Sequence, residues 1–223
     1  MKSEEFIREV DEELRRDQLG RLWRRYGFLV VALAVAIIAG TAGKVAWDHW
    51  RARERAAEAL RFAAADATLK ADRQAEAAEQ FAALAADGKT GFAALARLKE
   101  AQAKLAAKDE AGAVAALDSL AGAKPDAPLL RDLGLLLAAE RQLDTADPAD
   151  LTRTLEPLAV AGAPWRNPAR ELLALAAIRA GELDKARPIL QELSVEVGVP
   201  PSQQKRAAEL LQAIGGTVPS AGS

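Results

Sequence analysis

The stretch GFAALARLKEAQAKLAAKDEAGAVAAL, residues 91–117, decides the fold. Alanine, leucine, lysine and glutamate dominate it, and these side chains favour helix because they lose little rotamer freedom there. The polar pair Lys108-Asp109 interrupts the apolar spacing and is typical of a break between two helices. The stretch therefore predicts two short helices joined by a tight turn, which is an antiparallel helix hairpin.

The second helix of this hairpin recurs along the chain at a nearly constant period. Each copy has a small residue or leucine, then Phe or Leu four residues later, then Leu three residues after that. The four copies are Ala77/Phe81/Leu84, Ala113/Leu117/Leu120, Leu151/Leu155/Leu158 and Ala186/Leu190/Leu193. Their first positions are separated by 36, 38 and 35 residues. A string of hairpins follows from this repetition.

The period and the pattern resemble the second helix of tetratricopeptide repeats, in which a small residue permits close contact with the first helix. Gly181 fits the turn inside a hairpin, and Pro125 fits the break that ends a repeat. The third copy departs from the family by carrying Leu151 at the small position. The resemblance implies an all-α solenoid whose stacked hairpins bury a continuous core. We expect residues 45–70 to form its first helix and residues 202–214 to cap it.

The composition excludes several classes of function. The chain has 30 basic and 32 acidic residues and a formal net charge of −2, whereas nucleic-acid-binding proteins usually carry a basic excess. It has no cysteine, which excludes disulfides, zinc–thiolate sites, thiol nucleophiles and cysteine-linked lipid anchors. Only 4% of its residues are aromatic. The apolar content is mostly alanine and leucine, as expected for an all-α protein.

One segment near the N-terminus has the length and composition of a membrane span. YGFLVVALAVAIIAGTAG, residues 26–43, contains no charged side chain, and extension to Trp47 covers a hydrocarbon core of about 30 Å. Aromatic residues lie at both ends, where they suit the membrane interfaces. We therefore predict a transmembrane helix over residues 26–47. The predicted interfacial anchors are Trp23, Arg24, Arg25, Tyr26, Lys44, Trp47 and Trp50.

Two alternatives compete with the membrane span. The first is a buried core helix, which the flanking charged and aromatic residues argue against. The second is a cleaved signal peptide, for which Gly40-Thr41-Ala42 offers small residues at a cleavage site. A signal peptide has a basic N-terminal region and a shorter apolar core, whereas acids and bases are mixed before this segment.

Positive charge beside the span sets the predicted orientation. Arg21, Arg24 and Arg25 lie directly before it, which favours a cytoplasmic N-terminus. The predicted domains are a cytoplasmic amphipathic tail at 1–25, the span, a repeat domain at 48–214 and a disordered tail at 215–223. In the first tail, one helical face carries Phe6, Ile7, Val10 and Leu14. That face belongs to a docking helix, to a helix that lies on the membrane surface, or to a solvated helix that leads into the span.

The sequence offers little catalytic chemistry. His49 is the only histidine, and it lies between two tryptophans at the predicted membrane edge. Catalytic dyads and histidine metal sites need partners that this chain lacks. We therefore expect no enzyme activity, no cofactor, no metal site and no small-molecule substrate. A hydrolase or transferase would require a convergent pair of buried carboxylates.

A stacked helical array instead offers a groove for a protein partner. The first helix of each hairpin would line it, and its polar positions include Gln102, Glu140 and Glu171. These side chains either hydrogen-bond a partner peptide or helix, or are ordinary solvated residues.

A more specific resemblance covers nearly the whole chain. The motif AWDHW at 46–50, the stretch 91–117 and PWRNPARELLALAAIRAGELDKARPIL at 164–190 resemble the YfgM-type inner-membrane proteins, ancillary subunits of the Sec translocon. The opening FIREVDEELRRDQLGRLWRRYG, residues 6–27, is similar to the tail of their alphaproteobacterial relatives.

The resemblance implies a bacterial inner-membrane protein with a periplasmic C-terminal domain. It also implies a non-enzymatic adaptor whose partners are translocon subunits, periplasmic chaperones or client proteins. A second interpretation is a scaffold for another envelope assembly, such as cell division or cytochrome maturation, because a fold does not determine its partner.

Overall fold

The structure, a computed structural model, describes the backbone of residues 2–122 and 128–217, and the side chains of 25–29, 31–122 and 128–217. All regular elements in these ranges are helical. They are α1 (Lys2–Lys70), α2 (Gln74–Asp87), α3 (Gly91–Ala106), α4 (Glu110–Ala121), α5 (Pro128–Arg141), α6 (Pro148–Leu155), a 3-10 helix (Glu156–Leu158), α7 (Arg166–Arg179), α8 (Leu183–Val195) and α9 (Pro201–Ala213). The chain divides into two units, Met1–Glu54 and Arg55–Ser223, and α1 contributes residues to both.

The first unit contains the apolar part of α1. From Arg25 onwards this helix is long and apolar enough to cross a membrane, and its most apolar window is 0% buried within the structure. Phe28 exposes 83% of its surface and Ile38 exposes 67%. The side chains of a core helix would be buried, whereas those of this segment are exposed, so the segment is not a core helix in this structure. Length and composition alone do not distinguish a membrane anchor from a signal sequence.

Some predicted features fall outside the described residues. The side chains of Phe6, Ile7, Val10 and Leu14 are among them, although α1 includes their backbone. Pro125, predicted to end a repeat, and residues 218–223 of the predicted disordered tail also lie outside the described ranges.

The second unit is a series of helix hairpins. The first helix of each hairpin is the last part of α1, α3, α5 or α7, and its partner is α2, α4, α6 or α8 respectively. The predicted breaks Lys108-Asp109 and Gly181 both fall between helices. α9 follows the last hairpin and packs on α7 and α8 through Leu211. This confirms the all-helical hairpin prediction.

The core of the second unit consists of four clusters of buried side chains in succession along the chain. Each cluster joins a first helix, its second helix and the helix that follows them, which is α9 for the last cluster. The repeated pattern supplies its centre, because spacing of four and then three residues places side chains on one helical face. All twelve pattern positions are at most 5% exposed. The burial that the pattern predicts is therefore confirmed, including at Leu151.

Three hairpin turns share one backbone conformation. Asp72, Lys108 and Gly181 have φ angles of 62°, 62° and 76°, in the left-handed region. Each lies five residues before the first pattern position of the following helix. After the middle one, the N–H of Asp109 donates to the carbonyl of Lys104 at 2.8 Å, which closes α3. A left-handed residue thus ends the first helix of each of these hairpins.

Replacement of Lys108 by glycine should stabilise the second unit. A side chain at positive φ is strained by about 1–2 kcal/mol, and glycine removes this strain but adds freedom to the unfolded chain. We expect Lys108→Gly to raise the free energy of unfolding by about 0.5–1 kcal/mol. Urea unfolding of the full chain in nanodiscs, followed by circular dichroism, measures it.

Gly181→Ala is the matched reverse change and should lower the free energy of unfolding by about 1 kcal/mol. If Lys108→Gly were destabilising, the turn would not have the left-handed conformation described above.

Candidate protein-binding surface

The three predicted groove residues lie on successive first helices. Gln102 is on α3, Glu140 on α5 and Glu171 on α7. Gln102 and Glu140 are exposed, and the Glu140 carboxylate is 3.3 Å from the Arg141 guanidinium. Side-chain hydrogen-bonding groups at these two positions face solvent and are available to a partner. Their role in binding stays a prediction.

Glu171 differs from the other two, because α9 already occupies its carboxylate. The side chain of Gln203 donates to it at 2.8 Å, and Arg206 donates through Nε and Nη2 at 2.8 and 2.9 Å. This bidentate arrangement raises the pKa of Arg206 above its usual range. Glu171 thus fixes the last helix onto α7, and a partner would have to displace Arg206 to reach it.

An ionic cluster holds the hairpin of α7 and α8 together. Arg170 is buried and donates to the carboxylates of Glu192 and Glu196, and Arg166 also donates to Glu196. Both arginines lie near the N-terminus of α7, and both acids near the C-terminus of α8, against the preference of each helix dipole. In an antiparallel hairpin these ends are adjacent, so pairing compensates the unfavourable placement. Basic residues at the start of one helix and acidic residues at the end of the next are visible in the sequence and indicate this contact. The predictions above did not include it.

The cluster makes stability depend on pH. Hydrogen bonds from Arg166 and then Arg170 lower the pKa of Glu196 below its ordinary value of 4.5. Asp66 on α1 lies outside this cluster but is affected in the same direction, because hydrogen bonds from Lys70 and Lys99 lower its pKa below 3.8. A lowered folded-state pKa contributes stability that is complete above the unfolded-state value and is lost as pH falls through the folded-state value.

We expect Glu196→Gln to lower the free energy of unfolding at neutral pH by about 1–3 kcal/mol, the usual range for a hydrogen bond to a charged group. The difference from wild type should shrink as pH falls from 4.5 towards the lower folded-state pKa, because the carboxylate is protonated first in the unfolded chain and only then in the native state. Urea unfolding at a series of pH values measures both effects. Glu182→Gln, which changes an exposed pair with Lys185, is the control and should stay within about 0.5 kcal/mol. A pH-independent loss would contradict the ionic explanation.

Glu58 connects α1 to the start of α3. It is 7% exposed, and its carboxylate accepts hydrogen bonds from the N–H of Lys89 at 2.7 Å and from the N–H and hydroxyl of Thr90. Thr90 in turn caps α3 by accepting from the N–H of Phe92. No spacing in the sequence indicates this contact, because its partners are more than thirty residues apart.

Two further side chains link the third and fourth hairpins. The indole N–H of Trp165 donates to the carbonyl of Leu129 at 3.1 Å, at the start of α5. At the opposite end of α7, Arg179 donates to the carbonyls of Leu143 and Ala146 in the connection between α5 and α6. The carbonyls of Leu143 and Ala146 lie outside the helices, and Arg179 satisfies them. Both contacts fix the register of adjacent hairpins.

The predicted membrane anchors are exposed wherever their side chains are described. Arg25 lies 5.8 Å from the ring centre of Tyr26, and Arg51 lies 5.1 Å from that of Trp47. Trp47 and Trp50 contact each other, with ring centres 5.3 Å apart. Lys44 pairs with Asp48 at 2.7 Å. The side chains of Trp23 and Arg24 lie outside the described part.

A cleft of about 310 Å³ lies between α2 and the turn after α3. Alanine methyl groups form most of its wall. Of its polar side chains, Lys104 pairs with Glu100 at 2.7 Å, and Asp109 accepts from the N–H of Gly112 at 2.9 Å. The cleft therefore suits an apolar side chain of a partner better than a polar metabolite, which would need convergent polar groups.

The buried carboxylates of the described residues have structural partners. Glu58 caps the start of α3, and Glu100 pairs with Lys104. Among the residues that the structure covers, no group of three His, Asp or Glu side chains could hold a metal ion.

Comparison with known proteins agrees with the repeat architecture. Neither a curated protein nor a solved structure matches the chain significantly. The tetratricopeptide repeat-like domain family matches residues 21–187, which is more than half of the 223 residues. The repeat-like domains of this class are generally non-catalytic scaffolds that mediate protein–protein interactions. On the strength of this match, the chain belongs to the tetratricopeptide repeat-like domain family.

Proposed function

We propose that this chain is a non-enzymatic, membrane-anchored adaptor that binds protein complexes. One observation carries the proposal: an unburied apolar helix is joined in one chain to a tetratricopeptide repeat-like domain. The helix supplies attachment to a membrane, and the stacked hairpins supply surface for a partner protein.

The membrane part of the proposal rests on residues 26–47. Apart from Thr41 and Lys44, their described side chains are apolar and exposed, which is costly in water and favourable in lipid. The arginines before the span favour a cytoplasmic N-terminus. The domain that follows, residues 48–214, then lies in the periplasm of a bacterium, anchored in its inner membrane.

The binding part of the proposal rests on the first helices of the hairpins. Gln102 and Glu140 offer exposed hydrogen-bonding groups on α3 and α5. Glu171, which is held by α9, marks the end of the available surface. We propose that a partner peptide or helix binds along α3 and α5.

The identity of the partner rests on the resemblance to YfgM-type proteins. We propose translocon subunits, periplasmic chaperones and their clients as partners.

In-cell photocrosslinking tests this function. A photoreactive amino acid replaces Gln102 or Glu140 in the full chain, and mass spectrometry identifies the captured proteins. Asp118 on α4 and Gln191 on α8 are the matched controls, because both are exposed but lie on second helices. Capture of translocon subunits or chaperones from positions 102 and 140, and not from 118 and 191, supports the proposal.

Two other results overturn parts of it. Capture of only division or respiratory proteins keeps an adaptor but replaces its partner with another envelope assembly. Equal capture from test and control positions refutes the predicted groove.

A further inference from the structure

The second unit has two edges that differ in the side chains they expose: large apolar side chains lie on one edge, and charged side chains lie on the other. The turns inside hairpins, residues 71–73, 107–109, 142–147 and 180–182, form one edge, which we call the turn edge. The connections between hairpins form the other, which we call the loop edge. It comprises residues 88–90, 159–165 and 196–200 together with the first residues of α5.

Contacts along the loop edge join the first hairpin to the second and the third to the fourth. Glu58 binds the 88–90 connection, so the α1 segment that begins the second unit starts at this edge. Trp165 binds the carbonyl of Leu129 at 3.1 Å, and Arg166 pairs with Glu196.

The loop edge exposes large apolar side chains. Leu129 is 50% exposed, Val160 56%, Val195 44% and Val197 98%. The turn edge instead presents charged residues, which are Asp72, Arg73, Lys108, Asp109 and Glu182. Exposure of four large aliphatic side chains along one edge costs free energy in water unless something covers them.

Charges near these side chains are mostly paired within the protein. Glu196, between Val195 and Val197, accepts from Arg166 and Arg170. Asp87 lies 3.5 Å from Arg61. Desolvation of the loop edge therefore does not leave these acids without a counter-charge.

We propose that the loop edge lies against the surface of the lipid bilayer, with Leu129, Val160 and Val197 inserted among the headgroups. The inference rests on the proposed membrane anchor. Side chains on loop tips can enter the interfacial region without a shaped partner surface, and the buried apolar area sets the strength of such binding.

Chain connectivity favours lipid as the occupant. Only residues 48–54 separate the predicted span from the second unit. At about 1.5–3.4 Å per residue they reach about 10–24 Å, so the segment that enters at the loop edge starts close to the membrane surface.

Depth-dependent quenching in proteoliposomes tests the inference on the full chain. The chain has no cysteine, so Val197→Cys or Val160→Cys can carry one thiol-reactive fluorophore. Ala107→Cys and Ala180→Cys are the matched controls, because both are exposed on the turn edge. Lipids with a nitroxide headgroup serve as quencher. We expect quenching at positions 160 and 197 to be at least about threefold stronger than at 107 and 180.

A second variant separates insertion from mere tethering. In the chain labelled at position 197, the double change Leu129→Asp and Val160→Asp should reduce quenching at least about twofold, because charged side chains leave the interface. Equal quenching at the two edges, or no response to the aspartates, would overturn the inference.

The remaining outcomes are distinct. If the chain floats with liposomes but the label at 197 is not quenched, the inference fails while the anchor stands. If the chain does not float, both fail. Energy transfer between copies labelled at 197, without lipid quenching, would show that a second copy covers the edge and would also overturn the inference.

Discussion

Phe81→Ala should lower the free energy of unfolding by about 3–5 kcal/mol, the usual cost of removing a buried aromatic side chain. Phe81 is 0% exposed at the centre of the first core cluster. Its ring packs edge-on against Phe62 of α1, with ring centres 5.4 Å apart. The substitution removes this contact and leaves a cavity among α1, α2 and α3. Urea unfolding of the full chain in nanodiscs measures the loss.

Two controls sharpen this expectation. Leu60→Ala changes a leucine of the same hairpin that is 74% exposed, so its effect should stay within about 0.5 kcal/mol. Phe81→Leu keeps most of the volume and should cost less than alanine.

The damage should also be local. Stability in repeat arrays is close to a sum of repeat and interface contributions. Hydrogen exchange should therefore rise most in α1, α2 and α3, and least in α8 and α9. A loss below about 0.5 kcal/mol would show that the register of the repeated pattern is wrong.

Local pattern was enough to predict the hairpins. The positions occupied by Ala77, Phe81 and Leu84 share one helical face, and the same spacing returns at intervals close to the length of one hairpin. The Gly, Pro and polar breaks determine where each helix ends, because they disrupt the backbone ladder locally. Both signals depend on near neighbours in the chain, and both agree with the structure.

Contacts between distant residues could not be predicted in this way. Asp72 and Lys108 adopt the left-handed backbone conformation that glycine usually occupies, because the geometry of the hairpin turn requires it. Glu58 pairs with Thr90 only because α2 runs antiparallel to α1 and returns the chain to the same edge. Glu171 looked like a groove residue because its spacing suits a first helix. Its hydrogen bonds to Gln203 and Arg206 depend on where α9 packs.

These contacts also bear on the proposed function. Ionic pairs of partly buried side chains lie at α7, α8 and α9, where Arg170, Glu196 and Glu171 already hydrogen-bond within the protein. On α3 and α5 the corresponding surface keeps Gln102 and Glu140 exposed. A partner that contacts Gln102 and Glu140 meets solvated side chains and disturbs only the pair between Glu140 and its neighbour Arg141, which lowers the cost of binding there.

Val35→Arg should impair membrane insertion, if residues 26–47 form the proposed span. Val35 lies near the middle of the segment and is 58% exposed in the structure. Arginine at the centre of a transmembrane helix costs about 2.5–3.5 kcal/mol on insertion scales, and a second charge adds a similar amount. We therefore expect a graded loss of the alkali-resistant membrane fraction from wild type to Val35→Arg to the double variant with Ile38→Arg.

Leu60→Arg is the matched control, because it places the same charge on the same helix outside the proposed span. It should fractionate as wild type does. The intact mass of the membrane-bound wild type then separates an anchor from a signal peptide, since cleavage after Ala42 would remove residues 1–42. Retention of these residues, together with the graded loss, requires a span. Full retention of the double variant in the alkali-resistant fraction would refute it, because no lipid-embedded helix tolerates two unpaired central charges without cost.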